Sequence, residues 1–248
     1  HQSGEVLEWQ GSTLLARNTQ LDEQPLFNQS YFQKSPFELT IDHANGVRYI
    51  RVTKYGEVRL SARIFCAGTD PLSTCHPVGQ HGWLYTQKLT TLGCEGYFIN
   101  KKSQAIQFDA KTFASLDDTC GFFKAETTWF WLSCNFWWQD QHRVGLNLSQ
   151  GEQPSTDNSI WLDGVLYAVG EVVFEPLDEE NWHVYSQDGR LNIRIETHWT
   201  RSEKINFRFS GSQFKQWQSK LTGQIKVNDQ VIDLNAEYGI FEQHARKL

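Results

Sequence analysis

The chain has 248 residues, a net charge of −6, 39% hydrophobic residues, 21% charged residues and 14% aromatics. That length buries a substantial core, and the composition fits neither a disordered chain nor a membrane protein. The acidic balance, without any Lys/Arg cluster, argues against nucleic acid as a partner, and no apolar run approaches the roughly 20 residues of a transmembrane segment.

The first residues, HQSGEVLEWQG, lack the apolar stretch of a signal peptide, which predicts a cytoplasmic protein. Methionine is absent from the chain, which predicts a processed or recut N-terminus. Hairpin signals then recur at short intervals. Asn45-Gly46 stands before one apolar run and Tyr55-Gly56 before the next. Such pairs tolerate the positive φ angles of a two-residue turn. CHPVGQH supplies Cys75, His76 and His81, which are able metal ligands. No second cluster follows at a matching spacing, so no metal and no other cofactor is expected, and a turn about Pro77 is the simpler reading. The five cysteines are odd in number and show no C-x-x-C spacing, as expected of free thiols in a reducing compartment.

KTFASLDDTCGFF is the least regular segment. It divides the chain into an N-terminal β domain over 1–120 and a C-terminal β-barrel domain over 121–248. Within it Asp117 and Asp118 are adjacent, so in an extended chain they point to opposite sides. One of them turned into a barrel would be desolvated and kept protonated as a proton donor; both could equally cap the turn at Gly121.

TTWFWLSCNFWW, Thr127 to Trp138, is the most distinctive stretch. On a strand its side chains divide between two faces. Phe130, Leu132, Cys134, Phe136 and Trp138 form a uniformly apolar face. Trp129, Trp131, Ser133, Asn135 and Trp137 mix large rings with hydrogen-bonding groups. That second face is either a satisfied polar network within a Trp-heavy core or the lining of a cavity. In the next strand, HRVGLNLSQG, Asn147 and Ser149 could extend the same face, and Gly145 would leave room for a ring or a ligand.

SQGEQPSTDNS, 149–159, reads as a long loop. Asp163-Gly164 and Asp188-Gly189 mark two further turns, and Asn228-Asp229 a third. In RLNIRIETHW, period two places Leu191, Ile193, Ile195 and Trp199 on one face; in KINFRFS it places Ile205, Phe207 and Phe209 together. A short helical stripe fits only SQFKQWQSKL. FEQHA sets Glu242 and His244 two apart, on one face if extended, where they could tune each other for proton transfer or form a surface pair. Strands at even spacing without crossover helices predict an antiparallel all-β protein.

GWLYTQK (82–88), SLDDTCGFF, TTWFWLSC, RVGLNLSQG, the segment around Asn158 and its Asp-Gly hairpin, and the terminal Gly-x-x-Glu of YGIFEQH occur in this order. Together they resemble an uncharacterised bacterial family, domain of unknown function 2804, over roughly residues 80 to 244. That family is similar in turn to tandem calycin (lipocalin-like) proteins, among them carotenoid hydratases. The resemblance implies two lipocalin-like barrels, or one barrel packed on a curved β-sandwich, handling an apolar ligand. Residues 1–80 match poorly, which implies a shortened first barrel. Cys120 stands where Ser or Thr is usual, and Asp157 where Glu is commoner. Asp117 holds the family's motif position.

Three functions follow. The leading one is a binding module for an apolar or amphipathic small molecule, contacted by Trp129, Trp131, Ser133, Asn135, Trp137, Asn147 and Asn158. The second is a hydratase- or isomerase-type enzyme on an apolar substrate, with Asp117, Glu242 or His244 in proton transfer. The third is a carbohydrate-binding β-sandwich, which would need exposed indole platforms.

Overall fold

The computed structural model describes residues 17–21, 29–151, 156–206 and 211–247. Among them the chain is antiparallel strand and turn, without a helix. The strands are β1 (Thr19–Gln20), β2 (Gln29–Lys34), β3 (Phe37–Ala44), β4 (Val47–Lys54), β5 (Glu57–Phe65) and β6 (Leu72–Val78). They continue with β7 (Gly82–Ile99), β8 (Ala105–Gln107), β9 (Phe113–Gly121), β10 (Glu126–Trp138), β11 (His142–Gly151) and β12 (Ser159–Leu162). The last six are β13 (Val165–Ala168), β14 (Val172–Pro176), β15 (Asn181–Ser186), β16 (Leu191–Asn206), β17 (Gly211–Val227) and β18 (Gln230–Lys247). No helix among the described residues is long and apolar enough to cross a membrane.

Contacts divide the chain into two compact units, one of His1–Gly68 with Leu92–Ala114, the other of Thr69–Thr91 with Ser115–Leu248. The first unit is a meander. β1 to β5 pair in succession, and β5 pairs with the far end of β7, Leu60 opposite Phe98. Its hairpins turn where the sequence indicates: Asn45 and Gly46 take φ of 53° and 74°, Tyr55 and Gly56 of 53° and 78°. KTFASLDDTCGFF is more regular than its composition suggests, since most of it is β9, hydrogen-bonded to β7.

The second unit is built on a sheet ordered β13-β12-β11-β10-β18-β17-β16-β15-β14. The sheet curls until edge strand β14 meets β11, where Phe174 N–H donates to the Gln150 side-chain carbonyl at 2.7 Å. The apolar face of the aromatic strand lies inside this curl. Leu132, Leu146, Ile193, Leu221, Ile232 and Phe241 are all fully buried there. Phe130, Phe174, Trp182 and Trp217 surround Phe241 with ring centroids 5.0–6.2 Å away. The interior of the curl is thus an aromatic and aliphatic core.

Two bulges change which side chains face it. Between Thr197 and Thr200 the β16–β17 register shifts, so Trp199 leaves the face of Leu191, Ile193 and Ile195 and is 36% exposed. In β18, Ala236 takes φ of 76° and the register shifts opposite Leu221/Thr222. Ile232 and Leu234 point inward before it, and Phe241 after it. Glu242 is therefore turned to the outer face. SQFKQWQSKL, read as a possible helix, is part of β17: Trp217, Ser219 and Leu221 alternate into the curl, and the strand is hydrogen-bonded on both sides. Phe207 and Phe209, and residues 152–155 of the 149–159 loop, lie outside the described residues. No disulfide joins the five cysteines.

Candidate functional site

On the outer face of β10, within the second unit, lies a cleft of about 580 Å³. Trp129, Trp131, Phe123 and Leu84 provide apolar wall; Lys88, Lys124, Asp117, Asp157 and Glu242 provide charged groups. The register explains their meeting. Trp131 is directly opposite Ser149 on β11 and Glu242 on β18, and Glu242 is opposite Gln216 on β17. Side chains directly across a ladder stand about 5 Å apart, so these form one row across the sheet.

Lys88 and Asp117 arrive from β7 and β9. They are brought there by Asn135, whose Oδ1 accepts from Thr91 N–H at 3.0 Å and also from the Thr90 hydroxyl. Its Nδ2 donates to Ser115 Oγ at 2.8 Å. Thr90 lies two residues from Lys88 and Ser115 two from Asp117, so one amide fixes both strands beside Trp131. Gly145 permits the approach, since a Cβ there would meet Thr90 Cγ2 at 2.5 Å and Thr91 Cγ2 at 2.8 Å. The room that Gly145 leaves is taken by these threonines.

Lys88 Nζ is 2.8 Å from Asp117 Oδ2, with the lysine side chain only 12% exposed, and lies 5.1 Å from the centre of the Trp131 ring. Its charge is thus shared between a carboxylate and an indole face. The Trp131 indole N–H donates to Asn147 Oδ1 at 2.7 Å, and Asn147 Nδ2 donates to the Asp157 carbonyl at 2.7 Å. The ring is locked in place. Glu242 is the desolvated acid of the site. Burial raises its pKa, the amide of Gln216 donating to Oε1 and the positive charge of Lys88 oppose that rise, and Asp117 adds to it.

The residues singled out from sequence are distributed as follows. Trp129, Trp131, Asp117 and Glu242 line the cleft. Asp117 enters it as the partner of Lys88 with 41% of its side chain exposed, whereas Glu242 is partly buried. Asn135 and Asn147 support the cleft without lining it, and Ser133 and Trp137 lie further along the same strand face. Asn158 is buried, accepts Ser149 N–H at 2.7 Å and pins the loop end to β11. His244 is opposite Trp129, with ring centroids 4.3 Å apart, and bonds Ser212 Oγ at 2.7 Å; burial lowers its pKa. Glu242 and His244 share a face, but each is engaged by different neighbours.

Of Cys75, His76 and His81, only His76 borders the cleft. No group of three or more His, Cys, Asp or Glu side chains among the described residues could hold a metal. Lys88, absent from the residues singled out from sequence, also lines the cleft. Its signal was the Tyr-Thr-x-Lys piece of GWLYTQK, residues 85–88.

The chain belongs to the family described as Domain of unknown function (DUF2804), whose model matches residues 3–248. The match extends well before residue 80, across the segment in which the family's motifs are weak. No curated protein sequence matches. Among solved structures, the fold is similar to kievitone hydratase from Nectria haematococca, with a TM-score of 0.44 and 10% identity over 87% of this chain and 84% of that one. It is also similar to CghA, solved with Sch210972, with a TM-score of 0.49 and 9% identity over 88% of this chain and 70% of that one. Both sheets are antiparallel, the all-β architecture expected from the sequence.

Proposed function

Starting from a family without an assigned function, we propose that this chain binds an apolar or amphipathic small molecule in the cleft over Trp129 and Trp131. The observation that carries this reading is the cleft itself: about 580 Å³, with two indole walls beside Lys88, Asp117 and Glu242. Small-molecule sites have volumes of about 300–1,000 Å³ and combine apolar walls with polar groups that orient the ligand. The indoles are held in place before any ligand arrives, Trp131 by Asn147 and Lys88, which lowers the ordering cost of binding. In this reading the binding site is the outer face of β10 and not the inside of the curl, and the protein works in the cytoplasm.

Native mass spectrometry of protein isolated from cells tests this. A co-purifying lipid- or terpenoid-sized mass that is lost in Trp131→Ala supports the reading. A ligand-free spectrum under gentle conditions, with no uptake of added apolar compounds, overturns it.

A second reading, a hydratase- or isomerase-type enzyme, is favoured by one observation, the desolvated carboxyl of Glu242 beside an indole face. A protonated acid there could deliver a proton to an olefin, with Trp131 stabilising the developing cation. Turnover of a bound olefin that Glu242→Gln abolishes, without loss of affinity, would establish it. The carbohydrate reading needs open Trp platforms, whereas both rings are half-buried and the Trp131 N–H is already engaged.

A further inference from the structure

The charges around the cleft define what the polar end of its ligand can be. We infer that the cleft selects a neutral oxygen head group, an alcohol or carbonyl on an apolar body, with the Glu242 carboxyl as the hydrogen-bond donor. The inference rests on the binding reading above and specifies its chemistry.

Lys88 is closed to an anionic ligand because Asp117 already holds it at 2.8 Å. The lining lysines, Lys88 and Lys124, are matched by two aspartates, Asp117 and Asp157. Glu242 adds either nothing or a negative charge, so no surplus positive charge awaits a carboxylate or phosphate. A cationic head fares no better. The place over Trp131 where an ammonium would bind is held by the Lys88 ammonium, 5.1 Å from the ring centre.

A head that accepts a hydrogen bond remains. Glu242 offers one because only its Oε1 is engaged, by the Gln216 amide, and its burial favours the protonated form. A carboxylic acid donates through O–H, whereas a carboxylate only accepts. The groups that act on Glu242 come from several elements: Lys88 from β7, Asp117 from β9, Arg201 from β16 and the uncharged Gln216 from β17. His76 of β6, Lys124 and Asp157 border the same space.

The test compares decanol, decanal, decanoate and decylamine, four heads on one chain length, by tryptophan fluorescence and calorimetry. Decanol and decanal are expected to bind about ten-fold more tightly than decanoate or decylamine at a mildly acidic pH that keeps the Glu242 carboxyl protonated and decanoate ionised, the difference that one retained hydrogen bond and one avoided buried charge make. Glu242→Gln, which keeps a neutral donor, should hold decanol within about three-fold of wild type; Glu242→Leu should lose about ten-fold. Raising the pH above the usual carboxylate range should weaken decanol binding to wild type but not to Glu242→Gln, a contrast that titration of His76 cannot produce because both proteins contain it.

If decanoate or decylamine binds as tightly as decanol, the inference is overturned and the binding reading stands. If none of the four binds, both fall. Equal decanol affinity in wild type and Glu242→Leu also overturns the inference, and circular dichroism of that variant shows that the fold is intact.

Discussion

Replacing Asn135 with alanine tests how the cleft is assembled. This side chain makes three hydrogen bonds from β10 to β7 and β9: from Thr91 N–H at 3.0 Å, from the Thr90 hydroxyl, and to Ser115 Oγ at 2.8 Å. Thr91 is fully buried, so alanine leaves its N–H without a partner where water does not reach. An orphaned buried donor costs about 1–3 kcal/mol, and each of the other two bonds contributes about 0.5–1.5 kcal/mol. With some relaxation the expected loss is about 3 kcal/mol, which lowers the unfolding temperature by roughly 6–12 °C for a chain of this size. Urea unfolding followed by tryptophan fluorescence reads it as a lower midpoint at unchanged slope. Because the same amide sets the strands that carry Lys88 and Asp117, ligand uptake should weaken under conditions where the variant is fully folded. An alanine variant within 0.5 kcal/mol of wild type (a bound well below the cost of one orphaned donor) would refute this account of the clamp.

Gly145→Ala should cost about 1–3 kcal/mol in the same unfolding assay, because its methyl would press on Thr90 and Thr91 at 2.5 and 2.8 Å. Glu242 has a folded pKa above its ordinary value near 4.5. Its contribution to stability is therefore complete below that value and is lost as pH rises through the folded pKa. Glu242→Gln should match wild type in acid and exceed it increasingly as the pH is raised, as measured by thermal unfolding across pH; parallel profiles would contradict this. Among the thiols, burial pushes Cys134 far up while Cys75 is exposed, so a thiol reagent should label Cys75 quickly and Cys134 only on unfolding, as peptide mapping would show.

The sequence revealed the hairpins because their turns are local. Asp163 and Gly164 take φ of 53° and 88°, as the Asp-Gly pair suggests. It also separated the two faces of the aromatic strand correctly, since alternation depends only on neighbouring residues: Leu132, Cys134 and Phe136 are core, and Trp129 and Trp131 are cleft. It could not show which face enclosed space, because that depends on what packs outside β10. Nor could it reveal bulges. The single residue Ala236 reverses the alternation of β18, and nothing local in NAEYG announces it. The Lys88–Asp117 pair joins residues 29 apart on different strands, a contact that no short pattern encodes. Asn135 stands on the same strand face as the cleft tryptophans, and its amide is engaged as a polar anchor.

Nuclear magnetic resonance of the indole N–H groups during a decanol titration reports directly whether a ligand lodges against Trp129 and Trp131 on the outer face of β10. Shifts are expected at Trp129 and Trp131, with Trp161 and Trp217, buried elsewhere in the same unit, unchanged. Shifts concentrated at Trp217 in the core of the curl, or at none of the indoles at saturating decanol, would contradict that placement.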